Sequence, residues 1–221
     1  MEERFIELCG NGDLMGAQQL YQLNPNINIS AYEGGAFCWA CSNGHLEVAK
    51  WLFQVCPNIN ISAYDEKVFI YACSDGHLGM AKWIFQVSKE RKRTINISAY
   101  NEYAFRRACR YGHLEVAKWL LQIKPDINIS AYDEDAFRYA CVNGHLEVAQ
   151  WLQQMKPYIY VIEYDKNGNY KGYQIREKEE ANWQKRKYLV WLASNECPEE
   201  NKHNLLYKLP SDVSRMVVGF V

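Results

Sequence analysis

The nine-residue phrase GHLEVAKWL stands at residues 44–52 and again at 112–120, with the variants GHLGMAKWI at 76–84 and GHLEVAQWL at 144–152. A second phrase, INISAY, precedes each of them and begins at residues 27, 59, 95 and 127, at intervals of 32, 36 and 32 residues. A repeat of this length is typical of proteins that stack one small unit many times. The first 26 residues, with FIELCGNGDLMGAQQLYQL, are a partial copy of the unit.

Each unit predicts two short helices with an apolar stripe on each. In residues 132–154 the stripe residues follow helical spacing on both sides of Gly144, and they are Phe137, Ala140, Cys141, Leu146, Ala149 and Leu152. Gly144 can adopt the left-handed conformation that ends a helix. The alternating Ile127 and Ile129, after Pro125, predict a short extended finger between pairs. Because neither helix can bury its stripe alone, we expect an all-α solenoid of stacked helical hairpins with short extended fingers.

The phrases VNGHLEVAQWLQQ at 142–154 and INISAYDEDAFRYAC at 127–141 resemble the second helix, and the finger and first helix, of the ankyrin repeat. The resemblance covers residues 1 to about 158. It implies non-catalytic protein binding through a concave face made of finger tips and first helices. The dense repetition, rich in Ile, Asn, Lys and Tyr, is similar to the ankyrin arrays of giant viruses that infect amoebae.

The first helices depart from the family's Thr-Pro-Leu-His opening. Residues 35–38, 67–70, 103–106 and 135–138 read GAFC, KVFI, YAFR and DAFR instead. The hydroxyl and imidazole that would bond between neighbouring repeats are therefore missing. We expect apolar packing to replace them, through the repeated phenylalanine and through Trp51, Trp83, Trp119 and Trp151.

The repeats and the remaining sequence predict four regions. Residues 1–26 form a partial N-terminal capping repeat, and residues 27–158 form four repeats, 27–58, 59–94, 95–126 and 127–158. Residues 159–195 read as a degenerate closing repeat, in which VIEY and YKGYQI flank a hairpin turn at Asn167-Gly168 and a helix then resumes around Trp191. Residues 196–221 read as a tail with a short helix.

The reactive side chains occupy repeated positions, which favours structural roles. His45, His77, His113 and His145 stand at the same place in successive units, and no cysteine or carboxylate accompanies them at metal-ligand spacing. Phosphate-binding and nucleophile motifs are absent from the sequence. We therefore expect neither an enzyme nor a cofactor or metal site. Buried reduced thiols are expected at the five equivalent cysteines Cys9, Cys41, Cys73, Cys109 and Cys141.

The net charge of −1 gives no global attraction to nucleic acid or anionic membrane. Residues 88–112 are an exception, with seven basic side chains against two acidic ones, and they include the insertion SKERKRT. This basic stretch has three interpretations: a solvated loop, a site for an acidic protein partner, or a nuclear-import or nucleic-acid signal. Since tyrosine and arginine are the commonest interface anchors, we expect partner binding at Tyr103, Arg106, Arg107, Arg110, Tyr111, Arg138 and Val142.

No segment approaches the roughly 18 consecutive apolar residues of a membrane span. We expect a soluble monomer that binds protein partners and neither membrane nor nucleic acid. Its expected location is the cytoplasm, the host's if the protein is viral, with the nucleus as the alternative.

The last residues, LPSDVSRMVVGFV at 209–221, resemble the Leu-Pro opening of the F-box-like tails of poxviral ankyrin proteins. That resemblance implies an alternative function as a substrate adaptor for a ubiquitin ligase. The adaptor would then contact Leu209, Pro210, Val213, Met216 and Val217.

Overall fold

A computed structural model describes residues 1–177, apart from Asn58, Asn60 and Arg93. Contacts divide the chain into two compact units, Met1–Trp151 and Leu152–Val221. The predicted helix around Trp191 and the predicted tail lie outside the described residues. No helix in the described part of the chain is both long enough and apolar enough to cross a membrane.

Ten helices form five consecutive pairs in the described residues. The first helices of the pairs are α1 (Glu2–Gly10), α3 (Ala31–Ser42), α5 (Ile61–Ser74), α7 (Ala99–Arg110) and α9 (Ala131–Val142). The second helices are α2 (Leu14–Leu23), α4 (Leu46–Val55), α6 (Leu78–Glu90), α8 (Leu114–Ile123) and α10 (Leu146–Met155). Each first helix contacts the first helix of the next pair, from α1 to α9. The predicted fold class, an all-α stack of helical hairpins, is confirmed.

The glycine in the middle of each pair ends the first helix as predicted. Gly44 has φ +77°, and its N–H donates to the carbonyl of Cys41 at 3.2 Å. The next N–H, from His45, donates to the carbonyl of Ala40 at 2.8 Å. These two bonds are the Schellman ending, which needs a left-handed residue between the helices. The same pattern recurs at Gly76, Gly112 and Gly144.

The INISAY segments that begin at Ile27 and Ile95 are compact, because they contain turns and both of their isoleucines are buried. Ile27 and Ile29 are buried, and the side chain of Asn28 accepts a hydrogen bond from the N–H of Ser30 at 3.1 Å. The first helices α3, α7 and α9 begin directly at the Ala of INISAY. The connection between pairs is therefore short, and turns rather than an extended strand make up its described residues.

Aromatic pairs link neighbouring units, as the sequence predicted. In the first four pairs, the phenylalanine of the first helix lies against the tryptophan of the second helix in the following unit. The ring centroids are 6.1 Å apart for Phe5 and Trp51, 6.2 Å for Phe37 and Trp83, 6.1 Å for Phe69 and Trp119, and 6.3 Å for Phe105 and Trp151. These distances lie within the range of favourable tilted aromatic contacts.

Each repeated histidine lies against the glycine of the preceding unit. A Cβ placed on Gly44 would come within 2.5 Å of Nδ1 of His77, and Gly12, Gly76 and Gly112 face His45, His113 and His145 in the same way. The histidines occupy N-cap positions, but those of α4, α6 and α8 make no side-chain capping bond. Burial is the main cause that lowers the pKa of His113 below its usual value. The repeated imidazole thus serves packing between units.

The SKERKRT insertion lengthens a helix and adds a turn. Helix α6 has 13 residues, whereas α4 and α8 have 10. Arg91 follows the helix, stacks on the ring of Phe53 at 4.0 Å and donates to the carbonyl of Pro57 at 2.6 Å. Since Arg91 binds the preceding unit and Arg106 is buried, the predicted basic stretch does not form one exposed patch.

The compact unit Leu152–Val221 contains an antiparallel hairpin of β1 (Tyr160–Tyr164) and β2 (Tyr170–Ile175). Gly168 has φ +82° in the turn, and the carboxylate of Asp165 accepts hydrogen bonds from the N–H groups of Asn167 and Asn169. The predicted hairpin around Asn167-Gly168 is confirmed.

We predict that Trp119→Ala destabilises the protein by about 3–5 kcal/mol in urea unfolding, because its side chain is buried and contacts two phenylalanine rings. Trp39→Ala is the matched control, since that side chain is 61% exposed, and its loss should cost less than about 1 kcal/mol. Equal losses for the two variants would contradict the aromatic linkage.

We predict that Gly44→Ala destabilises the protein by at least about 2 kcal/mol more than Gly144→Ala. The two glycines have φ of +77° and +76°, so both variants place an alanine in the same left-handed conformation. Only Gly44 faces a histidine, whereas no described atom lies within 4 Å of a Cβ at Gly144, so the difference measures the clash. Unfolding free energies of the two variants check this.

Candidate protein-binding surface

One position of the first helix is equivalent in all five helix pairs, and the residues at this position differ in charge and size. The position holds Glu7 in α1, Trp39 in α3, Tyr71 in α5, Arg107 in α7 and Tyr139 in α9. We call the exposed side chains of these helices the first-helix face. Trp39 and Tyr71 are exposed, while Arg107 and Tyr139 are half-buried. The face thus changes along the stack from acidic and aromatic to basic and aromatic.

Arg106, predicted as a partner contact, lies inside the stack. Its side chain is 8% exposed and pairs with Asp135, whose side chain is 5% exposed, at 2.9 Å between Nη1 and Oδ2. Arg110 donates from Nη2 to the other carboxylate oxygen of Asp135 at 3.0 Å. One carboxylate of α9 therefore holds two guanidinium groups of α7.

Arg106 also stabilises an unusual turn at the start of α7. Tyr100, Asn101 and Glu102 all have positive φ, between 54° and 60°, which is unfavourable for residues other than glycine. Arg106 donates from Nε to the carbonyl of Asn101 at 2.7 Å and from Nη2 to that of Tyr100 at 3.1 Å. The side chain therefore satisfies carbonyls that the left-handed turn leaves outside the regular helix.

The same arrangement recurs in α9, where Tyr132, Asp133 and Glu134 have positive φ. Arg138, one repeat after Arg106, donates from Nη2 to the carbonyl of Asp133 at 2.6 Å. Its side chain is 35% exposed, and it pairs with the exposed carboxylate of Asp133 at 3.1 Å. Arg138 is therefore accessible, whereas Arg106 is not.

Arg107 lies between two tyrosine rings on the first-helix face. Its guanidinium carbon is 4.4 Å from the ring centroid of Tyr111 and 5.5 Å from that of Tyr103. In the described part of the chain it makes no ion pair, and its Nε has no hydrogen-bond partner. The predicted residues Tyr103, Arg107 and Tyr111 are thus brought together around one uncompensated charge.

Arg110 and Val142 extend this surface toward α9. The guanidinium of Arg110 stacks on Tyr139 at 3.4 Å while it binds Asp135, so the side chain is fixed from two sides. Val142 is exposed at the end of α9. Tyr132 and Tyr139 were not among the predicted residues. The sequence held one signal for Asp135, since it replaces Gly35, Lys67 and Tyr103 of the other units.

The thiols fit the predicted structural role. Cys9, Cys41, Cys73 and Cys109 are buried free thiols, and Cys141 is buried as well. Burial raises the pKa of Cys9 to about 12 and raises those of Cys41, Cys73 and Cys109 as well. These four thiols are therefore protonated at neutral pH and are poor nucleophiles. Within the described residues, no group of three or more histidine, cysteine, aspartate or glutamate side chains could hold a metal ion.

Stacked helical hairpins that present varied side chains on an invariant framework define a helical repeat protein. Two family models identify the repeat: one of three ankyrin repeat copies matches residues 5–97, and one of many ankyrin repeat copies matches residues 94–153. The chain belongs to the ankyrin repeat family. Ankyrin repeats generally mediate protein–protein interaction, and the family typically provides non-catalytic scaffolds.

The fold has a counterpart among solved structures. An ankyrin repeat family protein from Legionella pneumophila is similar with a TM-score of 0.52 and 24% sequence identity. The match covers 63% of this chain and 41% of that protein, so the chain corresponds to less than half of it. No curated protein matches the chain significantly.

We predict that Arg106→Ala destabilises the protein by about 3–5 kcal/mol, because it leaves the carboxylate of Asp135 buried without its closest partner. Arg138→Ala, at the equivalent exposed position, should cost less than about 1 kcal/mol. Arg106→Lys should restore little of the lost unfolding free energy, since an ammonium group cannot reach the carboxylate of Asp135 and both turn carbonyls together. Urea unfolding of the three variants measures this, and equal losses at both positions would contradict the buried network.

Proposed function

We propose that the protein is a non-catalytic scaffold and that its first-helix face, the counterpart of the concave face in ankyrin arrays, binds a protein partner. The observation that carries the proposal is Arg107, whose guanidinium lies between Tyr103 and Tyr111 without an ion pair in the described residues. A charge held in this way can pair with a carboxylate of the partner, and arginine and tyrosine are common interface anchors.

The neighbouring residues support the same role. Arg110 is fixed by Asp135 and Tyr139, so it adds positive charge with little loss of side-chain entropy on binding. Arg138 and Val142 continue the accessible surface on α9. Arg106 supports these residues from inside the stack and does not reach a partner. The partner segment is therefore expected to carry an acidic residue next to an apolar one.

The substrate-adaptor alternative depends on residues 196–221, which lie outside the described residues. It is a proposal from the sequence of the tail alone, with Leu209, Pro210, Val213, Met216 and Val217 as adaptor contacts. The monomeric state, the cytoplasmic location and the likeness to arrays of giant amoebal viruses are likewise proposals from the sequence.

The test is affinity capture from a eukaryotic lysate with four forms of the protein. They are the full chain, Arg107→Glu, Lys118→Glu and a chain that ends at Asn195. Lys118→Glu is the matched control, because it makes the same charge change on the exposed side of α8. We expect Arg107→Glu to lose captured proteins that Lys118→Glu retains.

Two outcomes would contradict parts of this proposal. If Arg107→Glu captures the same proteins as the full chain, Arg107 is not the anchor. If a ubiquitin-ligase adaptor subunit is captured by the full chain and lost only with the tail, the adaptor function is correct.

A further inference from the structure

A groove lies at the other end of the first-helix face, between α1 and α3. Its volume is about 370 Å³, and the indole of Trp39, the side chain of Ile6 and the ring of Tyr32 form its apolar walls. Glu3 and Glu7 lie at its edge. The proposed function does not use this groove, because Arg107 lies two units further along the stack.

Trp39 is exposed here although it is held firmly in place. A Cβ on Gly10 would lie 3.2 Å from Cε3 of Trp39, so the indole packs directly on the backbone of α1. The side chain is nevertheless 61% exposed, which leaves a large aromatic surface open to a ligand. Ile6 is similarly placed against Gly35, at 3.3 Å from a Cβ built there. The groove is therefore preformed by close contacts to two glycines.

The charge at the groove is negative. Helix α1 carries three glutamates and one arginine, and Arg4 pairs with Glu7 at 2.7 Å between two exposed groups. Glu3 has no ion pair in the described residues, and its nearest polar neighbour is the hydroxyl of Tyr32, which donates at 3.4 Å. An indole face beside the carboxylate of Glu3, which has no ion pair in the described residues, attracts a cation through both the ring quadrupole and direct charge.

We propose that this groove binds a lysine or arginine side chain from a basic segment of a partner protein. The aliphatic stem would lie along Ile6 and Trp39, and the cationic head would lie over the indole, near Glu3 and Glu7. An acidic segment is disfavoured by the two carboxylates, and a purely apolar side chain would leave Glu3 without an ion pair. The site is opposite in charge to the Arg107 surface, so the two can be tested separately.

The experiment uses the full chain labelled with ¹⁵N and two blocked hexapeptides, Gly-Gly-Arg-Leu-Gly-Gly and the same peptide with Gln in place of Arg. The readout is the indole N–H signal of Trp39 in NMR titrations, assigned by its loss in Trp39→Phe. We expect the arginine peptide to shift this signal with an affinity about tenfold higher than the glutamine peptide, the combined effect of a cation–π contact and exposed charge pairs.

Variants locate the interaction. The double variant Glu3→Gln, Glu7→Gln should lose most of this tenfold preference, whereas Glu115→Gln with Glu147→Gln, which removes two exposed carboxylates from second helices, should keep it. Arg107→Glu should also keep it, so failure of the Arg107 proposal and failure of this one give different results. Equal affinities for the two peptides, no shift of the Trp39 signal, or a preference that survives Glu3→Gln, Glu7→Gln would each overturn the proposal.

Discussion

The contact between the phenylalanine of one unit and the tryptophan of the next is the constraint on which the structure depends. A single helical hairpin cannot bury its apolar stripe, so each unit becomes stable only when a neighbour covers it. The Phe–Trp contact occurs at every junction from α1 to α10, and at each junction the histidine of the later unit packs against a glycine of the earlier one. Because these contacts use side chains that recur in every unit, the first-helix face can vary without loss of the framework.

The junction between the repeats 95–126 and 127–158 adds a buried ion-pair network to this apolar contact. Asp135 binds Arg106 and Arg110. Glu102, in the left-handed turn, is buried and accepts a hydrogen bond from the N–H of Asn128 at 3.4 Å. Buried charges of this kind require specific partners, so this junction is the most specific of the described ones. It also positions the residues around Arg107.

The sequence was sufficient to predict the framework because the framework is periodic. The helix pairs, the left-handed glycines, the aromatic junctions and the hairpin at Asn167-Gly168 all follow from repeated or strongly local signals. The binding surface was predicted less well, because whether an arginine points outward depends on what faces it. Arg106 and Arg138 occupy the same repeat position, but among the described residues Arg106 meets an aspartate of the following unit and Arg138 does not. The basic stretch around SKERKRT was misjudged for a similar reason. Its charge can be counted from the sequence, but the stacking of Arg91 on Phe53 cannot be predicted from it.

Because the junctions use equivalent side chains, the number of repeats in such a chain can change. Loss or duplication of one unit by recombination joins two surfaces that already fit, as long as the junctions use the same side chains. Loss of the repeat 95–126 is different, because Asp135 would then face Ile70 and Ser74, which occupy the positions equivalent to Arg106 and Arg110. A carboxylate buried against apolar and hydroxyl groups is costly. The repeats 95–126 and 127–158 are therefore matched to each other by Asp135 and its two arginines.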